Sequence, residues 1–296
     1  MQNIVIDEKG LKLTNLTKVL WPDDGITKAD FIDYFGRISP YMLPYLKDRP
    51  IVFTRYPDGI YGKSFYQKNV PDYAPSWLKV VQIESGDGNI TRYALIDDVQ
   101  SLLWAANQAS IEIHPWLSRK DATGHPDFIV FDFDPMENTG FQDATKIALA
   151  LNEILKIEGL VSFPKTSGAT GLQVYVPVVE KKYTYEQTRS FAYLFCTVLE
   201  KTFPKIATLE RDIRKREGKV YLDYLQNVEG KTIIAPYSPR PRPGAPVSCP
   251  ITWNELTSGL VPDMFNMKNV LERVGKMGDL FEGMYKTRQN IDKWLK

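Results

Sequence analysis

The apolar run Phe128-Ile129-Val130-Phe131 ends in Asp132-Phe133-Asp134-Pro135, and no other stretch constrains the fold as much. Ile129, Val130 and Phe131 read as a buried strand. Residues i and i+2 of a strand point to the same face, so Asp132 and Asp134 emerge side by side at its end. Two carboxylates on one face repel each other unless a cation lies between them. Mg²⁺ and Mn²⁺ are hard ions that take such oxygen ligands. The pair therefore reads as a metal site for phosphate chemistry. The plainer alternative is a solvated strand end that is acidic by chance.

Two further stretches favour the metal site. The strand-like run Gly218-Lys219-Val220-Tyr221-Leu222-Asp223-Tyr224 adds a third acid in an apolar setting. Between the two strands, Lys165-Thr166-Ser167-Gly168-Ala169-Thr170-Gly171 is a glycine-bearing turn that feeds a strand over residues 172–177. Its small residues let backbone amides and hydroxyls approach an anion closely. Three acids and a phosphate-sized turn are what two-metal nucleotidyl transfer needs: two acids bridge both ions, the third completes the site, and the turn holds the triphosphate.

At 296 residues the chain is one large domain or two small ones, and 43% hydrophobic content with 12% aromatics suits a sizeable core. A net charge of +1 excludes a generally basic nucleic-acid binder, so any DNA contact comes from local patches. Cys196 and Cys249 have no metal-ligand spacing and read as reduced structural thiols. No apolar run approaches the roughly 20 residues needed to span a membrane. No signal peptide is suggested, so a cytoplasmic location is expected.

Thr27 with Asp30 reads as a capping box opening a helix that Pro40 should stop. Strands are expected over 51–56, 78–84 and 90–96, the last two joined by the hairpin loop 85–89. A helix over 98–109 should lead into a short strand at 111–114. Further helices are expected over 141–158, over 184–202 behind a Thr184/Gln187 box, and over 279–295. Residues 236–250 carry six prolines and read as a stiff extended loop. Strands and helices mix without strict βαβ alternation, which gives an α+β class or a mixed sheet.

The motifs Leu16-Thr17-Lys18-Val19-Leu20-Trp21-Pro22, Arg55-Tyr56-Pro57-Asp58-Gly59, Ser64-Phe65-Tyr66-Gln67-Lys68-Asn69 and His114-Pro115-Trp116-Leu117-Ser118-Arg119 precede the Asp132/Asp134 strand. Lys165-Thr166-Ser167-Gly168, Leu222-Asp223-Tyr224-Leu225-Gln226-Asn227 and the run from Ala235 to Pro246 follow it. In these motifs, and in their order across nearly the whole chain, the protein resembles the polymerase domain of the bacterial non-homologous end-joining ligase, ligase D, of the archaeo-eukaryotic primase superfamily. The resemblance implies one primase-polymerase domain over 1–296. Its primase-like catalytic core of mixed β-sheet flanked by helices would span 111–250, with an N-terminal α/β module (1–110) packed against it and a helical closure (251–296).

For the site, the resemblance implies that Asp132 and Asp134 bridge two divalent ions, Mn²⁺ or Mg²⁺. Asp223 would ligate the ion that activates a primer 3′-hydroxyl, and His114 would lie at the metal. Ser167, Gly168, Gln173, Arg240 and Arg242 would hold the nucleoside triphosphate. Lys18 and Lys28 would hold the 5′-phosphate of a gapped or broken DNA end, and Phe65 or Tyr66 would stack on a template base. Each has a blander reading: a structural histidine, a solvated basic loop, surface lysines, core aromatics. His125 reads as a surface residue. The basic run from Arg211 to Lys219, interrupted by Asp212 and Glu217, reads as a solvated face. Where the family commonly has Gly-Leu-His after the turn, this chain has Gly171-Leu172-Gln173. Glutamine keeps an N–H donor but cannot carry positive charge.

The expected function is template-directed nucleotidyl transfer at broken DNA ends, with a preference for ribonucleotides. The resemblance adds bacterial Ku and a DNA ligase as partners and places the protein in the cytoplasm at the nucleoid. No lysine motif of a ligase domain is present, so ligase and polymerase are expected as separate proteins or as pieces of a fusion. Two rival readings are a non-catalytic module that grips 5′-phosphorylated ends and a metal-dependent nuclease. The Arg240/Arg242 loop and the Ser167-Gly168 turn speak for a triphosphate and against the nuclease.

Overall fold

Phe128–Asp134 is the middle strand of a five-stranded sheet, in the order Phe163–Thr166, Leu172–Pro177, Phe128–Asp134, Val220–Asp223, Ala207–Thr208. Every pairing in it is antiparallel except the last, so the sheet is mixed. The computed structural model describes residues 4–6, 10–84, 86, 88–136 and 140–295. Among the described residues, seven α-helices and several sheets give the α+β class expected. The chain divides into two compact units: Met1–Trp116 with Thr232–Val247 and Asn266–Lys276, and Leu117–Lys231 with Ser248–Phe265 and Met277–Lys296.

In the second unit the central strand has different duties on its two faces. Phe131 meets Phe191 and Phe195 of the helix Tyr185–Thr202, with ring centroids 6.4 and 6.3 Å apart. That helix opens on the expected Thr184/Gln187 capping box. Asp132 and Asp134 point to the opposite face. The Val220–Asp223 strand pairs only with the acidic half, Asp132 to Asp134, before a 3-10 turn at Tyr224–Gln226 carries the chain away. Buried backbone groups must still be paired. The Asn227 side chain completes the ladder: its Oδ1 accepts from the Val130 N–H at 2.9 Å and its Nδ2 donates to the Val130 carbonyl at 2.8 Å.

The first unit holds an all-antiparallel sheet in which Ile51–Arg55 pairs with Phe65–Gln67, Ser110–Pro115 and the end of Ile90–Ala94. Val80–Glu84 pairs with Ile90–Ala94 as the expected hairpin, although positions 85 and 87 of its loop lie outside the described residues. The helix Lys28–Leu46 opens on the Thr27/Asp30 capping box. It does not stop at Pro40. A proline has no N–H for the carbonyl four residues back, here Gly36, and the Ser39 hydroxyl takes that carbonyl instead at 2.7 Å. The helix runs through Pro44 to Leu46.

The expected terminal helix over 279–295 is absent. A single turn, Gly283–Lys286, and a 3-10 turn, Asp292–Trp294, stand in its place, with Gln289 drawn out between them. The Gln289 carbonyl accepts from the Val179 N–H at 3.1 Å, and its amide donates to the Val161 and Pro177 carbonyls at 2.9 and 3.1 Å. These bonds satisfy strand-end groups that a continuous helix would leave unpaired. Short helices at Trp253–Thr257, behind a Thr252/Glu255 capping box, and at Val270–Met277 were not expected. Cys196 and Cys249 are buried and form no disulfide. Among the described residues no helix is long and apolar enough to cross a membrane.

Asn227→Leu leaves both Val130 groups buried without partners. It should lower the free energy of unfolding by about 2–4 kcal/mol in urea denaturation, since each unsatisfied group costs about 1–3. A loss below ~1 kcal/mol would show that the strand does not depend on this side chain.

Candidate active site

Four polar side chains stand directly opposite one another across the second unit's sheet. Lys165 faces Gln173, Gln173 faces Asp132, and Asp132 faces Asp223. Opposite residues of antiparallel strands share a face, so the four form a row. Lys165 is fully buried and Gln173 is 3% exposed. The Lys165 ammonium donates to Gln173 Oε1 and, at 2.5 Å, to Ser248 Oγ. Gln173 stands directly opposite Asp132 on the neighbouring strand, between a buried ammonium and a buried carboxyl.

Asp132 is buried, and among the described residues its Oδ1 has no hydrogen-bond partner. Burial holds its carboxyl well above the ordinary carboxylate range, and the charges of Asp134 and Asp223 push it further. The Gln173 amide and the Lys165 charge act in the other direction. Gln226 reaches both carboxylates, 3.2 Å from Asp223 Oδ2 and 3.5 Å from Asp132 Oδ2.

The glycine-bearing turn lies against this strand end. A side chain at Gly171 would put its Cβ 2.6 Å from the Phe133 carbonyl oxygen and 3.3 Å from Asp134 Oδ1, so only glycine fits. Gly168 adopts φ +72°, the left-handed region. The Ser167 hydroxyl accepts from the amides of Ala169 and Gly171 at 3.2 and 2.9 Å, which fixes the turn. Ser248 closes it from behind by donating to the Thr166 carbonyl at 2.9 Å.

The donors fit a hard divalent ion in kind: oxygens only, with one buried oxygen unpartnered. Among the described residues, however, no three acids, histidines or cysteines close on a single point. Asp223 is already engaged by its own turn. Its Oδ1 accepts from the Leu225 N–H at 2.9 Å and from the Tyr221 hydroxyl at 3.3 Å, so the carboxylate caps its own turn.

The first unit carries a second charged cluster. Glu112 and His114 sit two apart on Ser110–Pro115 and share a face. His114 Nε2 lies 3.2 Å from Thr54 Oγ1 and 3.5 Å from Glu112 Oε2. Arg240 Nε lies 3.2 Å from Glu112 Oε1, an ion pair off the line a hydrogen bond needs. Burial opposes the Glu112 charge, but His114, Arg240 and Thr54 together hold its carboxyl below the ordinary range. Arg242 is exposed at the tip of the proline-rich loop.

Lys18 and Lys28 line a cavity of about 230 Å³ together with Arg55, Asn15 and Thr14. Lys18 pairs with the exposed Asp58 at 2.7 Å. Lys28 is buried, and burial with the nearby charges of Lys18 and Arg55 lowers its pKa to about 8. Phe65 and Tyr66 are exposed rather than core aromatics. Tyr66 shares a hydrogen bond with Thr232 at 2.9 Å, and its ring lies 6.2 Å from that of His114.

The sequence places Lys165, Arg55 and Gln226 inside motifs without giving them a role, and gives Glu112 none. Only strand register or a turn brings these four to their partners. Gly171 was visible as a turn residue, but its close approach to Phe133 was not.

The model of the LigD primase-polymerase domain family matches residues 27–281. The chain is 39% identical over 281 residues to the bifunctional non-homologous end joining protein LigD of Bacillus subtilis, covering 95% of this chain and 45% of that protein. It is 36% identical over 274 residues to the multifunctional LigD of Mycolicibacterium smegmatis, covering 91% and 35%. The chain therefore spans less than half the length of these relatives. A solved polymerase domain of Mycobacterium tuberculosis ligase D, in complex with DNA, superposes with a TM-score of 0.88 at 33% identity, over 95% of this chain and all of that one.

The raised Asp132 carboxyl makes a prediction about stability. A carboxyl raised by folding favours the native state below its unfolded pKa, and that contribution is lost as pH rises through the folded value. Above that range the native fold holds a charge it disfavours. Asp132→Asn should therefore raise the melting temperature of the metal-free protein at pH 8 and leave it nearly unchanged at pH 4. An equal or lower melting temperature at pH 8 would show that Lys165 and Gln173 fully offset the repulsion.

Proposed function

The chain belongs to the LigD primase-polymerase domain family, and we propose that it is a template-directed nucleotidyltransferase that fills in or extends broken DNA ends in bacterial non-homologous end joining. The observation that carries this reading is the row Lys165–Gln173–Asp132–Asp223, with Asp134 beside it and the Ser167–Gly171 turn packed on the same strand end.

Asp132, Asp134 and Asp223 are the proposed holders of two divalent ions, Mn²⁺ or Mg²⁺, and His114 is assigned to the same ions on motif resemblance alone. Ions of this kind make a primer 3′-hydroxyl more nucleophilic and offset the charge of the departing pyrophosphate. Lys165 and Gln173 favour the charged form of Asp132. Ser167 and Gly168 present the turn to the triphosphate, and Arg240 and Arg242 are assigned to it by resemblance, since guanidinium forks onto phosphate. Gln173 can reach the triphosphate only by releasing Lys165. The proposal extends to a ribonucleotide preference, to bacterial Ku and a DNA ligase as partners, and to a cytoplasmic, nucleoid-associated setting. Lys18 and Lys28 are the proposed seat of a 5′-phosphate, with Phe65 and Tyr66 stacking on the template.

A second reading, an end-binding module without catalysis, is favoured by one observation: Gln173 is turned inward rather than displayed. The two readings separate in a primer-extension assay with Mn²⁺ and each nucleotide set. The parent should extend, faster with ribonucleotides, and Asp132→Ala or Asp134→Ala should cut extension by at least ~10³-fold, the several kcal/mol that metal-held charge supplies. Extension that survives either substitution would sink the metal assignment, and a parent that binds ends but never extends would support the second reading.

End binding should be local and salt-sensitive. With a net charge of +1, about 3–5 phosphate contacts give a log–log salt slope of about −3 to −4. A recessed 5′-phosphate should bind more tightly than a 5′-hydroxyl, and the Lys18→Ala/Lys28→Ala double substitution should remove that difference in fluorescence anisotropy titrations.

A further inference from the structure

Arg55 closes the Ile51–Arg55 strand directly opposite Phe65, and its guanidinium carbon lies 4.9 Å from the Phe65 ring centroid. The guanidinium is pinned in its plane. Nε donates to the Gln108 carbonyl at 2.9 Å, Nη2 to Gln108 Oε1 at 3.2 Å, and Nη1 to Gln67 Oε1 at 2.8 Å and the Tyr73 hydroxyl at 2.9 Å. Four of its five N–H donors are thus spent on neutral acceptors, and among the described residues no carboxylate shares its charge through an ion pair. The same side chain lines the cavity of about 230 Å³ that also holds Lys18 and Lys28. Phe65 is 43% exposed and is backed by this flat cation.

We propose that Arg55 is a positioning residue that couples the two: through it, a 5′-phosphate in the Lys18/Lys28 cavity and a base stacked on Phe65 bind as one unit. The proposal rests on the end-binding reading above. The geometry carries it. One rigid guanidinium presents its charge to the cavity and its face to the aromatic ring, so holding either ligand fixes the surface that meets the other. A fixed ring stacks better than a free one, because the ordering entropy has already been lost. The specificity that results is for a recessed 5′-phosphate next to a template overhang, over either feature alone. Lysine cannot replace arginine here, since an ammonium has charge but no planar face.

The test is a double-mutant cycle on binding, free of catalysis. Anisotropy titrations compare the parent, Arg55→Gln, Arg55→Lys, Phe65→Ala and the Arg55→Gln/Phe65→Ala pair. Each is titrated on an overhang duplex carrying a recessed 5′-phosphate and on the same duplex with a 5′-hydroxyl, and melting curves confirm that each variant folds. In the parent, Phe65→Ala should weaken phosphate-duplex binding about tenfold, within the range of one base stack. In the Arg55→Gln background the same substitution should cost less than about threefold, and the preference for 5′-phosphate should shrink to a similar factor. Arg55→Lys should retain the phosphate preference yet show the same diminished effect of Phe65→Ala, which keeps the coupling testable if Arg55→Gln fails to fold. A Phe65→Ala cost that is the same with and without Arg55 overturns the coupling alone. A parent that binds both duplexes equally overturns the end-binding reading and the proposal with it.

Discussion

A carboxylate buried in the middle strand of a sheet, with two more carboxylates beside it, is a configuration that folding disfavours. Asp132 is in that position, and much of the second unit is arranged around it. The apolar half of its strand is locked by Asn227 on one side and a full ladder on the other, so the acidic half cannot relax away. A buried ammonium lies one strand further on, bonded to the Gln173 amide that stands opposite Asp132. A buried charge is tolerable only when it is paired or serves a ligand. Here the pairing is partial, since one oxygen has no partner, and partial pairing of this kind favours an incoming cation.

The first unit handles buried charge differently. Glu112 is flanked by the His114 imidazole on one oxygen and the Arg240 guanidinium on the other, and its ionised form is favoured. Its effect is to hold an imidazole and a guanidinium in fixed places, so two side chains that would be mobile on the surface keep one arrangement.

Local signals in the sequence were easy to read, and pairing was not. The Thr27/Asp30 and Thr184/Gln187 capping boxes, the unbroken apolar strand and the hairpin over 80–94 each depend on residues near one another in the chain. All of them appear in place, although the hairpin strands, expected over 78–84 and 90–96, run only over 80–84 and 90–94. Pro40 misled because the compensating hydroxyl of Ser39 repairs the helix locally, which composition does not reveal. The terminal helix misled because Gln289 bonds to Val161 and Pro177, more than a hundred residues away. The site followed the same division. Asp132, Asp134 and the turn were legible, whereas Lys165 and Glu112 gain their meaning only from strand register.

The burial of Lys28 has a consequence for exchange with solvent. Its proton is held loosely, at a pKa of about 8, because burial strips the ammonium of water and the charges of Lys18 and Arg55 lie nearby. An anion that enters reverses that balance and favours the protonated form. Near pH 8 a phosphate and a proton would therefore arrive together, and a phosphate that leaves would release the proton. The cavity would then act as a small acid-base buffer, its state of charge recording whether an end is held.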